Sequence, residues 1–197
     1  MISLDLGVGS NRDQVVAVAK RLFADLGYDQ TTSEMIARSA GVPMSFVTDE
    51  CGGRQQIYRR IVQEIRDRAQ EVLASLLAEE GLSARGRFRR LLDELLEYFS
   101  RDREGAAIWR QRSIGDASDI QGVEDSYAKP AFDAFARLVG DALRPEVDVE
   151  LMTWTLMSAI DNFFNGIPYG VGQESPDPVM VERFHRHIHA LVEPFFR

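Results

Sequence analysis

The sequence predicts an all-α fold, with a small N-terminal head of three helices and a larger helical body. Three observations predict it. Apolar residues recur at helical spacing in one stretch after another, sustained strand alternation is absent, and most of the seven prolines fall near element boundaries. The chain has 197 residues, 45% of them hydrophobic, enough for a sizeable core in one or two domains. The expected division is 1–53 for the head and 54–197 for the body.

In the head, Val15, Val16, Ala19, Leu22 and Phe23 lie at helical spacing. Met1 to Ser10 reads as an arm, Asn11 as the cap of this first helix, and Gly27 as its end. Thr31 stands three residues before Glu34, the spacing of a capping box, and opens a short helix carrying Met35, Ile36 and Ala37. Ala40-Gly41-Val42 makes a turn, and Pro43 suits the first turn of a third helix running to Glu50, where its missing N–H costs nothing. Two short helices joined by a tight turn, with a third helix behind them, form a helix-turn-helix.

Cys51-Gly52-Gly53 breaks the chain, and Arg54 to Glu79 reads as one long helix with Ile57, Ile61, Ile65, Val72, Leu73 and Leu76 near one stripe. Such a helix joins head to body. Gly81 to Arg85 is a turn before the helix marked by Phe88, Leu91, Leu92, Leu95, Leu96 and Phe99. A shorter helix covers Ala106 to Arg112, and Gly115 to Gly122 is a polar loop. Glu124 to Ala142 forms a helix with Pro130 as a kink, and Glu146 to Asn165 a strongly apolar one. The stretch from Gly166 to Asp177 is a loop, and Pro178 opens the last helix.

The series Leu22-Phe23, Gly27-Tyr28, Thr31-Thr32, Ile36-Ala37, Ala40-Gly41-Val42, Arg54 and Ile57 resembles the TetR family of bacterial transcription regulators. The resemblance covers roughly the first quarter of the chain, and the order of helices resembles the rest of that architecture. It implies a DNA-binding head, a body that takes a small-molecule effector, and a homodimer held by the last two long helices. Two heads would then meet half-sites about 34 Å apart in double-stranded operator DNA. The residues it assigns to DNA are Thr32, Arg38, Met44, Ser45, Phe46, Thr48, Asp49 and Arg54. Phe46 has a second reading, as a core residue of the head. Thr48 stands at the place of a frequent phosphate-contacting tyrosine, Asp49 at that of a histidine, Met44 at that of a lysine or arginine, and Arg54 at that of a lysine. Cys51 replaces a large aromatic that plugs the head.

Charge bears on this assignment. The chain carries a formal net charge of -8. Through Arg54 the head has five basic residues, Arg12, Lys20, Arg21, Arg38 and Arg54, against seven acidic ones, Asp5, Asp13, Asp25, Asp29, Glu34, Asp49 and Glu50. DNA affinity comes mainly from neutralising phosphates, so a recognition helix with two carboxylates and no cation binds weakly on that score. Asp49 can still accept a hydrogen bond from cytosine N4. Two readings therefore stand: a repressor released by a small, largely apolar or aromatic effector, and a scaffold of the same fold that has lost operator binding and serves as a small-molecule-binding protein or enzyme.

Candidate effector contacts are Tyr98, Phe99, Trp109, Arg112, Tyr127, Phe135, Met152, Met157, Asp161 and Phe163, since aromatic and methionine side chains with few polar groups suit an apolar site. Ordinary core packing is the competing reading for each. Leu151, Met152, Trp154, Leu156, Ile160, Phe163 and Phe164 nearly surround one helix, more apolar surface than one internal face requires. Trp154, Phe164, Val181, Phe184, Ile188 and Leu191 are the expected dimer residues, with a central helix buried in one monomer as the alternative.

His185 and His189 have the i,i+4 spacing of chelation, while His187 points elsewhere. Without a third ligand in view, no metal and no cofactor are expected. No catalytic constellation is found, so no enzyme is expected. A single cysteine, Cys51, excludes an intramolecular disulfide and fits a reducing cytoplasm, and no apolar run suggests a membrane span.

Overall fold

The computed structural model describes residues 5–139, 142–165 and 176–197, with side chains over the same ranges except 5–10, 124–129 and 131–132. Among the described residues there are eight α-helices: α1 (Asp5–Leu26), α2 (Ser33–Ala40), α3 (Gly53–Ala78), α4 (Ala84–Arg101), α5 (Arg103–Ser113), α6 (Val123–Val139), α7 (Val149–Asn165) and α8 (Pro178–Val192). A wide π turn occupies Phe46–Glu50, and a 3-10 turn follows α8 at Glu193–Phe195. No helix among the described residues is long and apolar enough to cross a membrane.

The chain forms two compact units. One comprises residues 1–66 and 104–123, the other 67–103 and 124–197. The first unit takes in the first half of α3, nearly all of α5 and the loop that follows. Its core includes Val15, Ala19, Ile36, Val47, Ile57 and Ile61, all at most 2% exposed. At its centre the rings of Phe23, Tyr28 and Tyr58 meet with centroids 4.9–5.8 Å apart. Tilted and edge-on pairs of this kind contribute about 0.5–1.5 kcal/mol each beyond burial. Tyr58, fully buried, supplies aromatic volume to the head, and Cys51 is half-buried.

The second unit is built around Leu73, Leu76, Phe88, Leu91, Leu92, Phe135, Leu138, Met152, Leu156, Ile188 and Val192. Its chain end is secured by pairing. Leu143 bridges Phe196 in antiparallel sense, and the Arg197 and Arg144 amides donate to the Ala142 and Phe195 carbonyls at 3.0 and 2.9 Å. This short pairing has no alternating pattern to announce it.

Several local expectations change. α1 begins at Asp5, so Asn11 lies inside the helix and caps nothing. No proline interrupts residues 5–10, and the glycines there cost only about 1 kcal/mol each. The expected capping box from Thr31 to Glu34 does not form, and a simple N-cap one residue later takes its place. Thr31 is fully buried, and its hydroxyl donates to the Gly27 carbonyl at 2.7 Å, satisfying the end of α1. Thr32 caps α2 instead, accepting from the Met35 amide at 3.2 Å. α7 starts at Val149, capped by Asp148, which accepts from the Leu151 amide at 3.0 Å. Asp177 caps α8 in the same way, accepting from the Val179 amide at 2.8 Å. The loop from Gly166 falls, up to residue 175, outside the described residues.

The two threonines have separable roles. Thr32→Ala, which removes an N-cap, is expected to cost about 1 kcal/mol. Thr31→Val, which leaves a buried carbonyl without its partner, is expected to cost about 1–3 kcal/mol. Urea unfolding of both variants measures this, and equal losses would refute the separation.

Candidate nucleic-acid interface and body sites

The recognition segment is short. Gly41, at φ +66, ends α2, with the Val42 amide bonding back to the Ala37 carbonyl at 3.0 Å. The chain then turns through Pro43 into Phe46–Glu50. There the Cys51 amide reaches the Phe46 carbonyl at 3.2 Å, an i→i+5 bond in place of the expected α-helical ladder. Thr48 favours the wider turn: its hydroxyl lies 3.3 and 3.2 Å from the Met44 and Ser45 carbonyls and 2.8 Å from the Asp49 carboxylate. Gly52 closes the segment at φ +75, where a Cβ would come 2.9 Å from Gln56 Cβ.

Val47 points inward and is fully buried, and Phe46 is half-buried. Met44, Ser45, Thr48 and Asp49 are exposed, as are Thr32 and Arg38 on α2. Glu50 pairs with Arg12 of α1, so its charge is partly matched within the head. Glu34, beside Thr32, has its carboxyl held below the usual 4.5 by its own backbone N–H and then by the Thr32 hydroxyl.

Arg54 is turned into the head. Its Nη1 donates to the Tyr28 and Thr31 carbonyls at 3.0 and 2.8 Å, and its guanidinium carbon lies 4.3 Å over the Tyr28 ring. The same turn is held from its other side by Asp116, which accepts from the Tyr28 and Asp29 amides at 2.7 and 2.9 Å. Gly27, at φ +82, admits this contact, because a Cβ there would meet Asp116 Oδ1 at 3.0 Å. Asp116 belongs to a loop the sequence marks only as polar. In the structure Ala117 and Ile120 are fully buried, and Ala117 takes φ +57, alone in this region among the described non-glycine residues. Arg112 organises the loop, donating to the Ala117 and Ile120 carbonyls at 2.9 Å each.

The expected effector residues divide between the two units. Trp109 and Arg112 lie in the first. In the second, Phe99, Phe135 and Met152 are buried, Tyr98 is half-buried with its ring edge-on to Phe99, and Met157 faces outward at 36% exposure. Asp161 accepts from Asn165 at 2.9 Å on its own helix. Tyr127 lies outside the described side chains. Phe163 stacks flat on Phe184, centroids 3.9 Å apart, and both border an open groove of about 500 Å³ completed by Met180, Arg183, Arg186 and His187. Sequence reasoning missed this groove's arginines and methionine: Met180 lies one turn before Phe184 on α8, Arg183 one turn before His187, and Arg186 beside His187.

α7 has two apolar faces. Met152, Leu156, Ile160, Phe163 and Phe164 are buried, whereas Leu151 and Trp154 are 66% and 63% exposed. The alternative of a helix buried all round in one chain is therefore overturned. Of the expected dimer residues, Trp154 and Leu191 are exposed, Val181 and Phe184 are half-buried, and Phe164 and Ile188 are buried within the chain itself. Val179, at 63% exposure, joins the outward set.

These observations define a helix-turn-helix head on an all-helical body. Residues 15–47 match the model of the bacterial regulatory proteins, tetR family. The whole chain is similar in fold to the fatty acid degradation regulator FadR from Bacillus halodurans, with 15% identity and a TM-score of 0.67 over 95% of this chain and 97% of that one. It is similar to a TetR-like transcriptional regulator from Rhodococcus sp. RHA1, with 20% identity and a TM-score of 0.61 over 92% of each chain. A third likeness is to the ketosteroid transcriptional regulator KstR2 of Mycobacterium tuberculosis, with 16% identity and a TM-score of 0.67 over 94% and 95%. No curated protein sequence matches the chain. The head thus matches the tetR-family model over its helix-turn-helix, and the chain as a whole shares the fold of these regulators.

Burial pushes the Tyr28 phenol above its ordinary 10.0 and the Cys51 thiol above its ordinary 9.0. Both folded values are raised, so the stability they confer is complete below the unfolded values and is lost as pH rises through the folded ones. Melting temperature is expected to fall in the alkaline range, and Tyr28→Phe to remove the component above pH 10.0. Melting curves at stepped pH would refute this if the variant fell as steeply as the parent.

Proposed function

We propose that the protein is a TetR-type transcriptional regulator that binds operator DNA as a homodimer and is released by a small, largely apolar effector. The observation that carries this reading is the head: a family-type helix-turn-helix whose recognition segment turns Met44, Ser45, Thr48 and Asp49 outward. Ser45 and Thr48 offer hydroxyls to phosphates or base edges, and Asp49 an acceptor for cytosine N4. Arg38 is the exposed cation of α2, and Thr32 stands at that helix's N-terminus, where phosphate is favoured. Arg54 serves the head by fixing its first turn.

The homodimer reading draws on the outward apolar residues of α7 and α8, Leu151, Trp154, Val179 and Leu191, which a second copy would cover. The effector reading draws on the stacked Phe163–Phe184 pair, whose groove combines an apolar wall with Arg183, Arg186 and His187. That set suits an apolar molecule with an acidic group. Of the proteins similar in fold, one is a fatty acid degradation regulator and another a ketosteroid transcriptional regulator, names that point to apolar compounds. The chain passes between the two units at 66–67, 103–104 and 123–124.

A second reading has its own support. The recognition segment itself carries no cation, Asp49 is exposed, and so a scaffold without operator binding, retained for its small-molecule site or as an enzyme, would look the same. Selection of bound duplexes from fragmented genomic DNA separates the two. The regulator is expected to enrich one palindromic site at physiological salt. Weak retention at low salt, lost as salt rises and with no sequence enriched, would favour the scaffold.

A further inference from the structure

We propose that Asp93, His185 and His189 form a binding site for a divalent transition-metal ion of the zinc class, bracing α8 against α4. The two histidines lie one turn apart on α8, and Asp93 comes from α4, some ninety positions earlier in the chain. Asp93 Oδ1 lies 2.9 Å from His185 Nε2 and 2.7 Å from His189 Nε2. All three donor atoms fall within 4.8 Å of one another. Ligands of a tetrahedral zinc ion, each about 2.0–2.2 Å from it, sit about 3.3 Å apart, so small side-chain rotations close the set around an ion.

The donor chemistry selects the ion. Two imidazoles with one carboxylate suit zinc, cobalt or nickel, whereas calcium and magnesium take oxygen ligands. In the absence of an ion, one carboxylate oxygen can accept an N–H from each ring. The ion takes the lone pairs of the same two nitrogens, so the hydrogen-bonded pair and the metal site are mutually exclusive states of one cluster. His185 and Asp93 are close to half exposed and His189 is 18% exposed, which leaves an approach from solvent and a fourth position for water.

The neighbouring contacts fit a seam where the two helices are fastened. One turn along from Asp93, Arg89 pairs with Glu193 at 2.9 Å, and Arg85 pairs with the same carboxylate. His187 faces away, into the groove with Phe163 and Phe184. It therefore serves as an internal control for nonspecific binding by surface histidines.

Cobalt(II) titrated into the tag-free, full-length protein provides the test, read by visible d–d absorption, with zinc displacement and thermal melting. The expected result is saturation at one equivalent, loss of the bands on adding zinc, and a melting temperature that rises with metal concentration. Asp93→Ala and His185→Gln are expected to weaken binding by more than the roughly 10–100-fold that losing a mere outer-shell partner costs. His187→Gln is expected to leave it unchanged, and circular dichroism verifies that each variant is folded. Absence of a saturable band, unchanged affinity in folded Asp93→Ala, or an equal loss in His187→Gln would overturn the site and leave a hydrogen-bonded Asp–His cluster only.

Discussion

The turn from Gly27 to Thr31 is gripped from both sides, and the geometry of the head depends on that grip. Asp116 accepts the Tyr28 and Asp29 amides, while Arg54 donates to the Tyr28 and Thr31 carbonyls. A carboxylate on N–H groups and a guanidinium on C=O groups each make charge-assisted hydrogen bonds, the stronger kind. The cation also lies where the carbonyl end of α1 favours positive charge. Thr31 seals the remaining inward carbonyl, that of Gly27. With the turn fixed, Tyr28 is held against Phe23 and Tyr58, and α2 leaves at a set angle toward the recognition segment.

This arrangement explains why a segment so late in the chain belongs to the head. Residues 104–123 share its compact unit, and the strained Ala117 beside Asp116 is held in place by Arg112. The αL conformation costs a residue such as alanine about 1–2 kcal/mol, a cost sustained only where surrounding contacts over-determine it. Both ends of this segment continue into helices of the second unit. The chain therefore delivers to the head's first turn a carboxylate from a segment far along the sequence, within the same compact unit.

Much of this was legible in the sequence. Helical periodicity located the helices, and the glycine at 41 and proline at 43 located the turn between α2 and the recognition segment. Contacts between distant residues were not legible. Asp116 sits in a polar loop without a motif, and Asp93 is one of three acidic residues on an amphipathic helix, so neither showed which backbone or ring it would meet. The displaced cap has the same origin: Thr31 and Thr32 are equivalent in sequence, and only burial assigns one inward and one outward. Periodicity also could not divide α7 into its buried and exposed apolar faces, because both faces are apolar. The π turn escaped because helical spacing over five residues does not distinguish i→i+4 from i→i+5 bonding.

The role given to Asp116 is tested most directly by amide hydrogen exchange at Tyr28 and Asp29 in Asp116→Ala, measured beside affinity for a selected duplex. The expected result is faster exchange at both amides, with a parallel loss of duplex affinity, while the core of the second unit stays protected. Undiminished protection at these two amides, or full duplex affinity once they have opened, would contradict it.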